Sequence, residues 1–234
     1  MSFRTRRPGA ALSMAFAFSA VVVATRIAGA AEPASGEHGI VATAHPIATQ
    51  AAVDAMQNGG NAIDAAVAAA LTLGVVDGSN SGIGGGCFFL IRTAAGEFFA
   101  IDGRETAPRA IKAELFLRDG KADTRLSQVG ALASGTPGAL AAYDLAVSRF
   151  GRLPLKTSLL GAAEIAERGF SVDRIYAKRL KEEAADLKSF DEARTIFLSP
   201  DQTPFREGDL IRQIDLARTY RNIAEFGVGW FYEG

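Results

Sequence analysis

The chain has 234 residues, 48% of them hydrophobic and 22% charged, a balance that suits a folded domain rather than a disordered segment. Twenty-five Lys and Arg against 26 Asp and Glu leave a formal charge of −1, so no summed field draws the chain to nucleic acid or to an anionic membrane. One cysteine, Cys87, excludes an internal disulfide, and two histidines, His38 and His45, fall short of a structural zinc site; neither a metal nor a cofactor is expected.

Arg4, Arg6 and Arg7 precede an apolar run from Ala10 to Ala24 and the small residues Ala28-Gly29-Ala30. That order predicts a signal peptide over residues 1–30 and an exported protein, periplasmic or secreted. The run is shorter than the roughly 20 residues that span a bilayer, so no membrane attachment is expected after cleavage. Residues 31–36 read as a mature N-terminal tail, and residues 37–234 as one domain without internal repeats.

Pro46 suits the first position of a helix running to about Asn58, with Ala48, Ala51, Ala52, Ala55 and Met56 on one apolar face and Gly59 as its terminator. A second helix is predicted from Asn61 to Gly74, capped by Asn61, supported by Asp64 and apolar on every side, hence buried. Phe88 to Arg92 and Glu97 to Ile101 then read as a β-hairpin across Thr93-Ala94-Ala95-Gly96. Four further helices are predicted over Pro137–Phe150, Lys156–Arg168, Ile175–Leu187 and Ile211–Phe226. Clustered strands among many helices give an α+β class.

Two segments could carry chemistry. The loop Ser81-Gly82-Ile83-Gly84-Gly85-Gly86-Cys87 follows a helix and opens a strand, the reverse of a phosphate-cradling loop, so it reads as close backbone packing; a nucleotide-binding oxidoreductase is the weaker alternative. Arg104, in Asp102-Gly103-Arg104-Glu105-Thr106-Ala107-Pro108, stands where the chain leaves a strand. Its planar fork suits a substrate carboxylate, while an ion pair with Asp102 or Glu105 explains it equally simply. Cys87 lacks a basic partner nearby in sequence, and Ser134 and Thr136 lack the spacing of a nucleophile elbow and read as a loop capping the next helix.

Taken together, His45-Pro46-Ile47-Ala48-Thr49, Gly59-Gly60-Asn61-Ala62-Ile63-Asp64-Ala65-Ala66, the glycine loop and the Asp102–Pro108 block resemble, in order, the start of γ-glutamyltranspeptidases. Gly135-Thr136-Pro137-Gly138, Phe150-Gly151-Arg152-Leu153-Pro154 and Phe231-Tyr232-Glu233-Gly234 agree, so the similarity runs from about residue 37 to residue 234. The resemblance implies a partial four-layer αββα sandwich of the N-terminal nucleophile hydrolase type, here a helix-rich fragment. It implies γ-glutamyl transfer from glutathione or related γ-glutamyl compounds to water or an amino-acid acceptor. Arg104 is then the clamp for the donor α-carboxylate. The family's nucleophile is a threonine at the start of a small subunit, and no Thr-Thr-His run occurs in these residues. The expectation is therefore no catalytic residue in this chain and an inactive isolated fragment, associating through uncovered apolar faces. A truncated, non-catalytic binding or structural remnant is the alternative.

Overall fold

The computed structural model describes residues 34–234; the leader predicted over residues 1–30 and the first half of the 31–36 tail, residues 31–33, lie outside the described residues. α1 spans Pro46–Gln57, opened by His45, whose Nδ1 accepts from the Ile47 amide at 3.2 Å, and closed before Gly59 at φ +91°. Imidazole caps a helix only when neutral. Burial holds the His45 pKa below its ordinary 6.5, against the opposing pull of Asp173 and Asp77.

A linkage follows from that cap. As the pH falls below 6.5 the unfolded chain takes up a proton that folded His45 resists, so stability should be lost on acidification. His45→Asn keeps a capping oxygen and should flatten that part of the profile, measured by urea unfolding between about pH 7 and about pH 5.

α2, Ala62–Val76, begins with a reciprocal capping box. Asn61 Oδ1 accepts from the amides of Ile63 and Asp64, while Asp64 Oδ2 accepts from the Asn61 amide at 2.7 Å. The Asp64 carboxylate, 1% exposed, also accepts from the amides of Arg152 and Leu153, 88 and 89 residues away. A helix cap read from local sequence thus doubles as the tie that seats the distant Gly151–Pro154 turn, and a buried carboxylate is stable because so many donors surround it.

The hairpin is β1, Cys87–Arg92, paired antiparallel with β2, Phe98–Gly103, in a register that sets Phe89 opposite Ile101 and Leu90 opposite Ala100. Ile91, Ile101 and Gly103 are buried on one face. The alternate positions Phe88, Leu90 and Phe98 are 68%, 80% and 66% exposed, an apolar face that nothing among the described residues covers. The chain next makes a long excursion with a 3₁₀ turn at Ala113–Phe116, a short hairpin of β3, Leu117–Arg118, and β4, Lys121–Ala122, and another 3₁₀ turn at Ala131–Ala133. It closes at the Thr106–Thr136 bridge, through amide bonds of 3.1 and 2.7 Å.

α3, Ala139–Phe150, and α4, Leu155–Arg168, follow. The expected helix over Ile175–Leu187 is two: α5, Arg174–Glu182, and α6, Ala184–Leu187, parted at Glu183, where φ is −94° and ψ is 5°. The break lets Leu187 pack on the core while Asp186 pairs with Arg125 of the excursion. α7, Asp191–Phe197, had no local signal.

The helix expected from Ile211 begins only at Ile214. Leu210–Ile211, β6, pairs instead with Phe170–Ser171, β5, and Ile211 is fully buried there. α8, Ile214–Phe226, then packs along α4, and α9, Val228–Glu233, ends the chain. The main core lies between α2, α3, α4 and α8, where Gln213 Nε2 donates to the Val75 carbonyl and Tyr220 Oη donates to the Leu71 carbonyl. The fold is mixed helix and small sheet: among the described residues every sheet is a two-stranded antiparallel pair.

Candidate functional site

The glycine loop joins the end of α2 to β1, and its path is dictated by backbone contacts. The Gly85 carbonyl accepts from the amides of both Gly138 and Ala139 at 3.1 Å, so the loop satisfies orphan donors at the start of α3. A methyl on Gly86 would lie 2.6 Å from Glu105 Oε2 and 2.8 Å from the Gly103 carbonyl oxygen. One on Gly103 would lie 2.5 Å from Ala142 Cβ. These glycines allow loop, strand end and helix to approach closely, which is the packing reading of the loop rather than a phosphate cradle. Gly84, by contrast, faces open space.

The expected role of Ser134 and Thr136 as helix caps is not what the structure has. α3 starts at Ala139 with no side-chain cap, because Gly85 supplies the acceptor; Thr136 serves through its backbone, in the bridge to Thr106. Local sequence proposed a cap that a tertiary contact had already replaced.

Beside the loop opens a cleft of about 670 Å³, lined by Arg104 and Glu105, by Gly78, Ser79 and Asn80, by Gly84 to Cys87, and by Tyr143 and Leu73. Arg104 stands just past β2. Asp102 Oδ1 accepts from its amide at 2.9 Å, which fixes the turn and leaves the side chain free to point away. The Arg104 side chain is 69% exposed; its Nε lies 3.3 Å from Glu105 Oε2, and its two terminal nitrogens make no hydrogen bond among the described residues.

The structure shows the ion pair with Glu105 at the stem of the guanidinium, and it leaves the two terminal nitrogens of a cleft-lining arginine without a protein partner among the described residues. The pair is an ion pair by distance but not a hydrogen bond by angle, since Glu105 Oε2 is sealed from solvent without a hydrogen-bond partner. A terminal edge with two parallel N–H groups facing a cleft is what a carboxylate needs.

Cys87 lines the same cleft. Burial and, secondarily, Glu105 push its thiol above the ordinary range, so it is protonated near neutral pH and does not serve as a nucleophile. Tyr143, from the buried face of α3, is raised to about 12 by burial and by Cys87, and so presents a neutral phenol, edge-on to Phe89. His45 is spent on the α1 cap, and His38 does not line the cleft. Tyr143 was missed by the reading of motifs; a lone phenol in an otherwise Ala- and Leu-rich helix face was the signal available. Among the described residues no group of three His, Cys, Asp or Glu is placed to hold a metal ion.

A family model described as Gamma-glutamyltranspeptidase matches residues 48–234. The chain is 38% identical over 204 residues to the glutathione hydrolase proenzyme of Escherichia coli (strain K12), covering 86% of this chain and 35% of that protein. It is 37% identical over 202 residues to the glutathione hydrolase proenzyme of Bacillus subtilis (strain 168), covering 85% and 34%. It therefore spans about a third of the length of these curated relatives. Among solved structures, Helicobacter pylori gamma-glutamyltranspeptidase superposes with a TM-score of 0.83 at 34% identity, over 87% of this chain and 58% of that one.

Proposed function

The chain belongs to the gamma-glutamyltranspeptidase family, and from that premise we propose that it forms the donor-binding part of an enzyme that moves the γ-glutamyl group of glutathione, or of a related γ-glutamyl compound, to water or to an amino acid. One observation carries this reading: Arg104, its two terminal nitrogens without a protein partner among the described residues, lines a cleft that glycines also line. Arg104 grips the donor's α-carboxylate, and the glycines leave room for the chain that follows.

The reaction needs a nucleophile with a base beside it, and neither a histidine nor a lysine lines this cleft among the described residues. We assign it to a threonine of a small subunit, in the two thirds of the relatives' length that this chain does not match. Its hydroxyl oxygen bonds the γ-carbonyl carbon as the C–N bond breaks. The hydroxyl proton passes through the threonine's own amine to the leaving nitrogen. Water or an acceptor amine then forms the new bond to carbon, the ester C–O bond breaks, and the proton returns to the threonine oxygen.

The uncovered Phe88, Leu90 and Phe98 face supports the same partner, since a second sheet laid on it would complete a four-layer αββα sandwich. Export as a periplasmic or secreted protein is part of the proposal, motivated by the basic and apolar leader at residues 4–24. The deciding measurement is glutamate release from glutathione. The complete gene product should release it, and residues 37–234 alone should not. Release by the short chain would move the nucleophile into these residues, and no release by either would favour a non-catalytic remnant.

A further inference from the structure

No residue from 104 to 138 is buried, and none belongs to a hydrophobic cluster of the core. The excursion over residues 107–135 half-buries Ile111, Phe116, Leu126, Val129 and Leu132, while Leu115 and Leu117 are each 44% exposed. Its backbone hydrogen bonds close within itself, as where the Asp123 amide donates to the Phe116 carbonyl at 2.8 Å. Among the described residues one polar tie joins it to the rest of the chain: the Arg125 guanidinium donates to both carboxylate oxygens of Asp186 on α6. Those side chains are 62% and 29% exposed, so the tie is a weak one. Segments with so few buried apolar contacts open at a free energy far below that of global unfolding.

The root of the excursion is packed more closely. The Thr106–Thr136 bridge closes it, and the returning chain lies against Glu105: a methyl on Gly135 would stand 3.0 Å from Glu105 Cβ and 3.4 Å from the Thr106 carbonyl oxygen. Glu105 Oε2 in turn lies 3.3 Å from Arg104 Nε. A cavity of about 310 Å³ is lined by Arg104 and Glu105 together with Ile111, Phe116, Leu132 and Ser134 of the excursion. Arg104 and Glu105 therefore line two spaces, this one and the donor cleft. Opening of the excursion takes the backing from Glu105, and with it the support for the stem of the guanidinium.

Resting on the γ-glutamyl reading above, we infer that residues 107–135 form a strap, hinged at the Thr106–Thr136 bridge and latched by Arg125–Asp186, whose closed position sets Arg104 for the donor carboxylate. Arg125 and Asp186 are then positioning residues, acting on Arg104 through Glu105. The linkage is reciprocal. If the closed strap favours binding at Arg104, a carboxylate bound there must favour the closed strap by the same factor.

The test reads strap opening in the complete gene product by limited trypsin digestion, following cuts after Lys112, Arg118 and Lys121 by mass spectrometry. When opening and closing are fast, cleavage tracks the open population. The probe is L-glutamate, added at about ten times the constant with which it inhibits hydrolysis of a γ-glutamyl donor. A ligand that binds only the closed form should slow the strap cuts by about tenfold at that concentration. Cleavage after Arg206, outside the strap, should not change. In Arg104→Ala the protection should vanish. Asp186→Ala should speed the strap cuts without ligand by about threefold to fivefold, the scale of one exposed ion pair, and Arg125→Asp combined with Asp186→Arg should return them toward wild type.

Glutamate that inhibits hydrolysis yet leaves the strap cuts unchanged would overturn the strap and leave the γ-glutamyl reading standing. A strap that stays uncut while the chain is cut after Arg206 would overturn it equally. Wild-type protein that hydrolyses no γ-glutamyl donor would overturn the parent reading. Should a variant fail to fold, the wild-type comparison with and without glutamate decides by itself.

Discussion

Arg104→Ala in the complete gene product is expected to lower kcat/KM for γ-glutamyl donors by about 30-fold to several thousand-fold. Truncating one partner of a hydrogen-bonded charge pair costs about 2 to 5 kcal/mol, and each 1.36 kcal/mol is a factor of about ten. The fold should be untouched, because the side chain is mostly exposed and its ion-pair partner Glu105 retains its position against the glycine loop. Arg104→Lys keeps the charge but loses the paired N–H groups, so it should recover only part of the loss. Steady-state kinetics on wild type and both variants decides the matter, and equal kcat/KM for wild type and Arg104→Ala would remove Arg104 from substrate binding.

The largest effect on stability is expected at Gly138. A methyl there would lie 2.7 Å from the Gly103 carbonyl carbon and 2.8 Å from the Arg104 carbonyl oxygen, both backbone atoms that have no rotamer to yield. Gly138 also donates its amide to Gly85, so any shift of α3 that relieves the clash pulls on the loop as well. Overpacking of this kind costs about 3 kcal/mol. At about 2–4 °C per kcal/mol for a domain of this size, Gly138→Ala should lower Tm by roughly 6–12 °C.

Gly84→Ala is the matched control. Its methyl meets nothing within 4 Å, so its Tm should stay within about 2 °C of wild type, as for other substitutions away from packed features. Thermal melts of the three proteins side by side provide the check. Equal Tm for Gly138→Ala and Gly84→Ala would mean that the close approach of strand end and helix is not what the glycines serve.

Much of the frame was legible because its causes are local. Pro46, Asn61 and Gly59 mark helix ends through φ, capping and left-handed geometry, each acting within four residues, and the structure places α1 and α2 accordingly. The aromatic and β-branched runs Phe88–Arg92 and Glu97–Ile101 likewise marked the hairpin, which pairs Cys87–Arg92 with Phe98–Gly103. The misreadings share one cause, which is distance along the chain. Leu210–Ile211 continued the pattern of the next helix, but a strand partner 41 residues earlier at Phe170–Ser171 claimed it. Glu183 carries no helix-breaking feature, and the break there serves contacts of Leu187 and Asp186 with remote segments.

At the site the same division holds. Residue order left Arg104 with two readings, an ion pair or a fork for a carboxylate, and the resemblance of its block to a family made the second the expectation, since a guanidinium's fork is a property of the side chain itself. Which nitrogens of that fork are free was a tertiary matter: Glu105 takes the stem, Asp102 takes the backbone amide, and the glycine loop, packed against the start of α3, lines a cleft together with Arg104. Hydrogen-bond caps and side-chain chemistry act over a few ångströms of neighbouring chain and are written in the order of residues. The cleft beside Arg104 arises where residues 70–87, Arg104, Glu105 and Tyr143 meet, segments distant in sequence, so only the folded packing could produce it.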